Sequence, residues 1–187
     1  MSGPEHRWEA LRKPVADCLD KDGSFLDIGC ANGYLLECCA RWVAERGIRL
    51  ELWGLDLSEK LVELAKARLP ESAGNLFVGN GLTWTPPQRF DYVRTELVYV
   101  PAEQESEYVE RLLKEFLGPG GRLLVANYLE GEPDPSRGLL PGIRHTADTV
   151  QRLKDLGFQV TAYRDGLDPV KGRRTRVAII GAPMSLT

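Results

Sequence analysis

The chain has 187 residues, 43% of them hydrophobic and 27% charged, and its 24 lysines and arginines against 27 aspartates and glutamates give a formal net charge of −3. That length fits one domain, since domains usually run to roughly 100–200 residues, and the apolar fraction offsets chain entropy without metal or disulfide staples, which excludes wholesale disorder. The mildly acidic total argues against a protein held to nucleic acid by bulk charge.

Trp8, Leu11, Val15, Cys18 and Leu19 recur at helical spacing and predict a helix over residues 7–19, which Pro14 is expected to bend or divide. Residues 24–28 read as a strand that runs into Gly29. A helix over 34–45 closed by Gly47 and a strand over 50–55 follow. Ser58 is a good N-cap for a helix over 59–69, with Lys60, Glu63 and Lys66 outside and Leu61, Leu64 and Ala65 inside. Short strands are expected at 75–78 and from 90–93, separated by a turn-rich stretch.

An acidic-fronted helix over 103–117 stops at Gly118-Pro119-Gly120-Gly121, and residues 122–126 form the fifth strand. Residues 128–144 carry Pro133, Pro135, Gly138, Pro141 and Gly142 and read as an irregular segment, of a length that in compact domains often serves function. A helix over 146–156 ended by Gly157 precedes strands at 158–163 and 175–180. This alternation predicts an α/β fold, a Rossmann-like three-layer sandwich with a mostly parallel seven-stranded sheet. Its last strand is antiparallel, because 164–174 holds no helical crossover. Residues 1–187 are expected to form one domain, with 1–22 as an amino-terminal helical cap and 128–145 as a substrate-side insertion. Ligands of such sheets sit at the carboxyl ends of the parallel strands.

The first of those ends reads Phe25-Leu26-Asp27-Ile28-Gly29-Cys30-Ala31-Asn32-Gly33-Tyr34. Gly29 permits a tight turn and Gly33 lets the next helix start close to the strand, leaving backbone free to approach a ligand. Asp27 lies just before the turn, and a second acid, Asp56, ends the next strand.

These stretches resemble the class I S-adenosylmethionine-dependent methyltransferases, in particular small single-domain enzymes acting on small molecules, and the resemblance covers nearly the whole chain. Residues 26–33 are similar to the family's acid followed by G-x-G-x-G, with Ala31 in place of the central glycine. The resemblance implies S-adenosyl-L-methionine as cofactor and S-adenosyl-L-homocysteine as product. It implies that Asp27 reaches the methionine ammonium, that backbone near Gly29, Ala31 and Gly33 passes the methionine and ribose, and that Asp56 accepts from the two ribose hydroxyls. Asn80, with Gly81 or Leu82 donating a backbone amide, falls where the family reads adenine, although Asn-Gly is also an ordinary turn. Leu57 and Trp84 are candidates for the adenine faces, Trp84 equally for the core. Residues 116–125 match the family's helix-to-fifth-strand turn. The Asp/Asn-Pro-Pro-aromatic sequence of amino-group methylases acting on adenine or glutamine is missing after the fourth strand.

In such enzymes the protein mainly aligns the acceptor, and a hydroxyl or carbon acceptor also needs a base. Glu96, Tyr99 and His145 are the candidates near the mouth, Glu96 also as a cofactor-positioning residue. Trp8 and Arg12 either fold over the cofactor or simply pack.

Charge is unevenly distributed. Residues 1–136 hold 15 basic and 23 acidic side chains, and 137–187 hold 9 basic and 4 acidic. Arg137, Arg144, Arg164, Lys171, Arg173 and Arg174 thus form a basic rim for an anionic small-molecule acceptor, or a solvated edge; action on RNA or protein through this rim is the alternative. A nicotinamide oxidoreductase is the other catalytic class, but its G-x-G-x-x-G spacing is not met. A non-catalytic partner subunit would have lost the cofactor acids. Cys18, Cys30, Cys38 and Cys39 include no CxxC pair and His6 lies far from His145, so no metal is expected. The polar amino terminus lacks a signal-like core and no run approaches a membrane helix, so a cytoplasmic protein without membrane contact is expected.

Overall fold

Apolar strands alternate with amphipathic helices, and seven of these strands join in one sheet. The computed structural model describes residues 4–130, 148–168 and 170–181. In chain order the elements are α1 (Pro4–Ala16), β1 (Gly23–Ile28), α2 (Tyr34–Ala44), β2 (Leu50–Asp56), α3 (Glu59–Arg68), β3 (Leu76–Val78), β4 (Phe90–Thr95), α4 (Glu105–Arg111), β5 (Leu117–Glu130), α5 (Thr149–Asp155), β6 (Val160–Leu167) and β7 (Arg174–Gly181). The spatial order is β3-β2-β1-β4-β5-β7-β6. Strands β1 to β5 pair in parallel, and β7 runs antiparallel to both β5 and β6. This is the expected fold class. Because the chain winds outward from β1 to β3 and then restarts at β4, the crevice beyond the carboxyl ends of β1 and β4 is the topological switch point.

Period-two alternation sorts the core into two layers. Phe25, Tyr92, Leu124, Ala126, Val177 and Ile179 pack with Val15, Leu36, Cys39 and Val43 from α1 and α2. Leu26, Ile28, Val93, Leu123, Val125 and Ala178 pack on the other face with Tyr108, Val109 and Leu153 from α4 and α5. Asp27 and Arg94 are register partners. They continue the Phe25 and Tyr92 rows, so both fall on the α1–α2 face.

Several expected boundaries shift. Helix α1 runs unbroken through Pro14, which sits in its last turn and removes one amide donor there. Ser58 caps α3, its Oγ accepting from Leu61 N at 3.4 Å, but Val62 and Ala65 form the packed stripe and Leu64 is 51% exposed. The helix foreseen over 103–117 is a 3₁₀ turn, α4 and a π turn over Leu112–Phe116. Strand β5 begins earlier, at Leu117, and takes in the Gly-Pro-Gly-Gly turn as an irregularity in its pairing with β4. Among the described residues no helix is long and apolar enough to cross a membrane.

The β6–β7 hairpin is tied to α1 rather than standing apart. Asp168 Oδ1 accepts from Val170 N at 2.9 Å and Lys171 N at 3.1 Å, closing the turn. Arg7 forks onto the same carboxylate, with Nη2 to Oδ2 at 2.7 Å. The Arg7 bond holds the Asp168 carboxyl well below the usual range, so this anchor is present above the unfolded value of about 3.9 and is lost as pH falls through the lower folded value. Asp168→Asn is expected to lower Tm at pH 7 and to raise amide exchange in α1, with the difference from the parent protein shrinking in acid; equal exchange in α1 would refute the anchor.

Candidate active site

Strand β1 delivers Asp27 to the crevice with its carboxylate 1% exposed. A carboxylate so far from water needs a cation, and the register supplies Arg94 from β4, whose Nη1 donates to Asp27 Oδ1 at 3.0 Å. Arg94 also donates to Tyr99 Oη at 3.2 Å and, through Nη2, to Glu96 Oε1. Tyr99 in turn donates to Glu96 Oε1 at 2.7 Å. Asp27, Arg94, Glu96 and Tyr99 are therefore one connected network. Burial works against the Arg94 cation, but Tyr128, Tyr99, Asp27 and Glu96 outweigh it and its pKa stands well above the ordinary value. Burial raises Asp27 to about 6 against the opposing pull of Arg94. Asp27 Oδ2 remains buried without a partner among the described residues.

The turn after β1 explains its glycines. Gly29 has φ 81° and Gly33 φ 73°, conformations that side chains with a Cβ avoid. A Cβ on Gly29 would lie 2.6 Å from the Tyr99 ring, and one on Gly33 would lie 3.1 Å from Ala65 Cβ in α3. Tyr99 thus lies against the Gly29 backbone. Ala31 also has positive φ, 49°, at a strain of about 1 kcal/mol, and its amide is held by Asp56 Oδ2 at 2.9 Å. Asp56 Oδ1 accepts from Ser58 N at 2.9 Å. Each carboxylate oxygen keeps a further lone pair, so Asp56 is fixed in place and can still accept from a diol.

The third turn is closed by one of its expected residues. Asn80 Oδ1 accepts from Leu82 N at 2.9 Å, which engages the Leu82 amide and leaves Asn80 Oδ1 a second lone pair. Leu57 is 70% exposed beside this turn. Trp84 packs between Phe77 and Phe116, with centroids at 5.4 Å and 5.9 Å, and so belongs to the core side of its two readings.

From above, α1 closes over the crevice. Trp8 stacks on Tyr34 at 4.8 Å, and Arg12 lies 3.8 Å over the ring of Tyr128 from β5. Arg94 and Tyr128 escape a motif reading. Their signal is nevertheless present: Arg94 is a charge in a strand, on the face of Tyr92 and opposite Asp27. His145, Arg137 and Arg144, with most of segment 128–145, lie outside the described residues. Arg176 of β7, which the expected rim did not include, is paired with Asp148 at 2.6 Å and Asp165 at 2.8 Å. Lys171 and Arg174 remain exposed.

Comparison with known proteins follows the same residues. A family model described as a methyltransferase domain matches residues 25–121, from β1 into β5. No curated protein matches the chain by sequence. Among solved structures, the N-methyltransferase NodS from Bradyrhizobium japonicum WM9, in complex with S-adenosyl-L-homocysteine, is 17% identical with a TM-score of 0.65, over 96% of this chain and 87% of that one. A chain of the complex between the Haloferax volcanii Trm112 methyltransferase activator and a methyltransferase is 18% identical with a TM-score of 0.71, over 98% and 92%. The [4+2]-cyclase SpnF is 16% identical with a TM-score of 0.68, over 95% and 82%. At such identities the likeness is one of fold. The family match, spanning just over half of the chain and all the turns around Asp27, Gly29 and Asp56, shows that the protein belongs to the methyltransferase-domain family.

Proposed function

We propose that the chain transfers a methyl group from S-adenosylmethionine to a small-molecule acceptor, leaving S-adenosylhomocysteine. The observation that carries this reading is the buried Asp27 Oδ2 at the switch-point crevice, which has no partner among the described residues and is an acceptor suited to an ammonium. In this reading Asp27 holds the methionine ammonium, the backbone at Gly29, Ala31 and Gly33 borders the methionine and ribose, and Asp56 accepts from the ribose diol. The Gly81 amide donates to adenine, with Leu57 and the Asn80–Leu82 turn alongside it. When bound, the cofactor supplies an electrophilic methyl group on its sulfonium.

The chain's own contribution is alignment and exclusion of water. Burial pushes the Tyr99 phenol well above its ordinary value, so at neutral pH its hydroxyl is a donor and not a base. Glu96 receives both Arg94 and Tyr99, which suits it to hold the network beneath the acceptor. Where the acceptor needs deprotonation, His145 is the remaining candidate base. Exposed Lys171 and Arg174 support an anionic acceptor; the engagement of Arg176, and of Arg152 with Glu105 at 2.7 Å, leaves less positive surface for RNA or protein.

Calorimetric titration is expected to give saturable heat with S-adenosylhomocysteine and none with NAD; heat with NAD alone would refute the reading. Asp56→Ala should weaken S-adenosylhomocysteine by about 2 kcal/mol, roughly thirtyfold. Because the ammonium pairs with ionised Asp27, affinity should hold above neutrality and decline as pH falls through about 6. Stability moves oppositely. Asp27's folded pKa lies above its unfolded value of about 3.9, so its own contribution to stability decreases as pH rises through that interval. Asp27→Ala leaves Arg94 buried with only Glu96 opposite, and urea unfolding should show a loss of about 3 kcal/mol; a loss indistinguishable from zero would mean that the pair does not hold the crevice.

A further inference from the structure

Tyr99 covers a surface that the cofactor reading gives to the methionine chain. Its Cε2, Cζ and Oη lie 2.6 Å from the point where a Cβ on Gly29 would stand, so the ring fits there only because that residue has no side chain. Polar bonds, more than packing, hold it in place. The Tyr99 hydroxyl donates to Glu96 Oε1 at 2.7 Å and accepts from Arg94 Nη1 at 3.2 Å, while the residue is 42% exposed. The backbone beneath it is lightly fastened. Leu97–Tyr99 is a single 3₁₀ turn whose bonds, Tyr99 N to Glu96 O and Val100 N to Leu97 O, measure 3.3 Å and 3.2 Å, longer than the usual length of about 2.9 Å. On either side the chain is fixed, at Thr95, which is fully buried and bonded to Tyr108 Oη at 2.7 Å, and at buried Val100. Movement of the turn is thereby confined to residues 97–99.

We infer that Tyr99 is a gate on the crevice: with its hydroxyl on Glu96 and Arg94 it covers Gly29, and S-adenosylmethionine seats only when the ring swings away on the Leu97–Tyr99 turn. The inference rests on the cofactor reading above and adds to it a closed arrangement that binding must open. Opening leaves Glu96 Oε1 with Arg94 alone, so this carboxylate gains a free lone pair as the cofactor arrives. A crevice that is open for only part of the time binds its ligand more weakly by that fraction. Removing a side chain that touches the site therefore strengthens binding, the opposite of what removing a ligand contact does.

Calorimetry and stopped-flow tryptophan fluorescence on the whole chain test the gate with S-adenosylhomocysteine and with adenosine, which has no methionine chain. Tyr99→Ala removes the ring and should tighten S-adenosylhomocysteine by roughly tenfold, and Tyr99→Phe, which keeps the ring without the bonds that hold it shut, by roughly threefold. Adenosine should bind the parent and both variants alike. In the parent the observed binding rate should level off at the rate of opening as S-adenosylhomocysteine is raised, and in Tyr99→Ala it should rise in proportion to concentration. Weaker S-adenosylhomocysteine binding in Tyr99→Ala would make Tyr99 a ligand contact and overturn the gate. Unchanged affinity, or an equal gain for adenosine, would overturn it too. Should Tyr99→Ala not fold, Tyr99→Phe decides the matter by the same signs. Failure of the parent to bind S-adenosylhomocysteine would instead overturn the cofactor reading itself.

Discussion

The crevice depends on one buried ion pair. Asp27 and Arg94 are register partners on parallel strands, 1% and 2% exposed, and burial would neutralise the carboxylate without the guanidinium opposite it. A buried pair contributes little net stability, since desolvation consumes most of its attraction. Its value here is geometric. Arg94 directs its remaining donors to Glu96 and Tyr99, and Tyr99 is thereby laid against Gly29. One guanidinium thus connects the end of β1, the end of β4 and the loop beyond it, while one carboxylate oxygen of Asp27 keeps no partner among the described residues.

The rest of the fold serves this point. Parallel pairing brings the carboxyl ends of β1, β2 and β4 to one edge, and the reversal of strand order opens the crevice between them. Asp56 braces the strained Ala31 amide and the start of α3, so the second turn is rigid before any ligand arrives. Helix α1, fastened by Arg7 to the β6–β7 hairpin, supplies the roof. Acceptor choice lies elsewhere, since a [4+2]-cyclase shares this architecture with methyltransferases.

Much of this was legible in the chain itself. The strand–turn–helix pattern identifies Asp27, Gly29 and Gly33 because only glycine suits the left-handed turn, and an acid at a strand end identifies Asp56. Asn80 reads two ways in the sequence, because an Asn side chain can also brace its own turn, and its Oδ1 does hold the Leu82 amide. Leu64 misleads because Val62 and Ala65 already fill the packed stripe. Arg94 and Tyr128 are invisible to motif reading, since their meaning comes from neighbours on other elements, Asp27 of β1 67 positions away and Arg12 of α1 more than a hundred. The π turn at the end of the fourth helical segment likewise reflects tertiary packing and not propensity.

In the proposed function Asp27 is a buried carboxylate kept for a cationic ligand. Following its carboxyl carbon by NMR through a pH titration, with and without S-adenosylhomocysteine, measures this directly. The ligand-free protein should titrate Asp27 near about 6, and saturation with S-adenosylhomocysteine should move the midpoint to lower pH as the ammonium stabilises the charged form. A midpoint near the ordinary value of about 3.9 that ignores the ligand would contradict it.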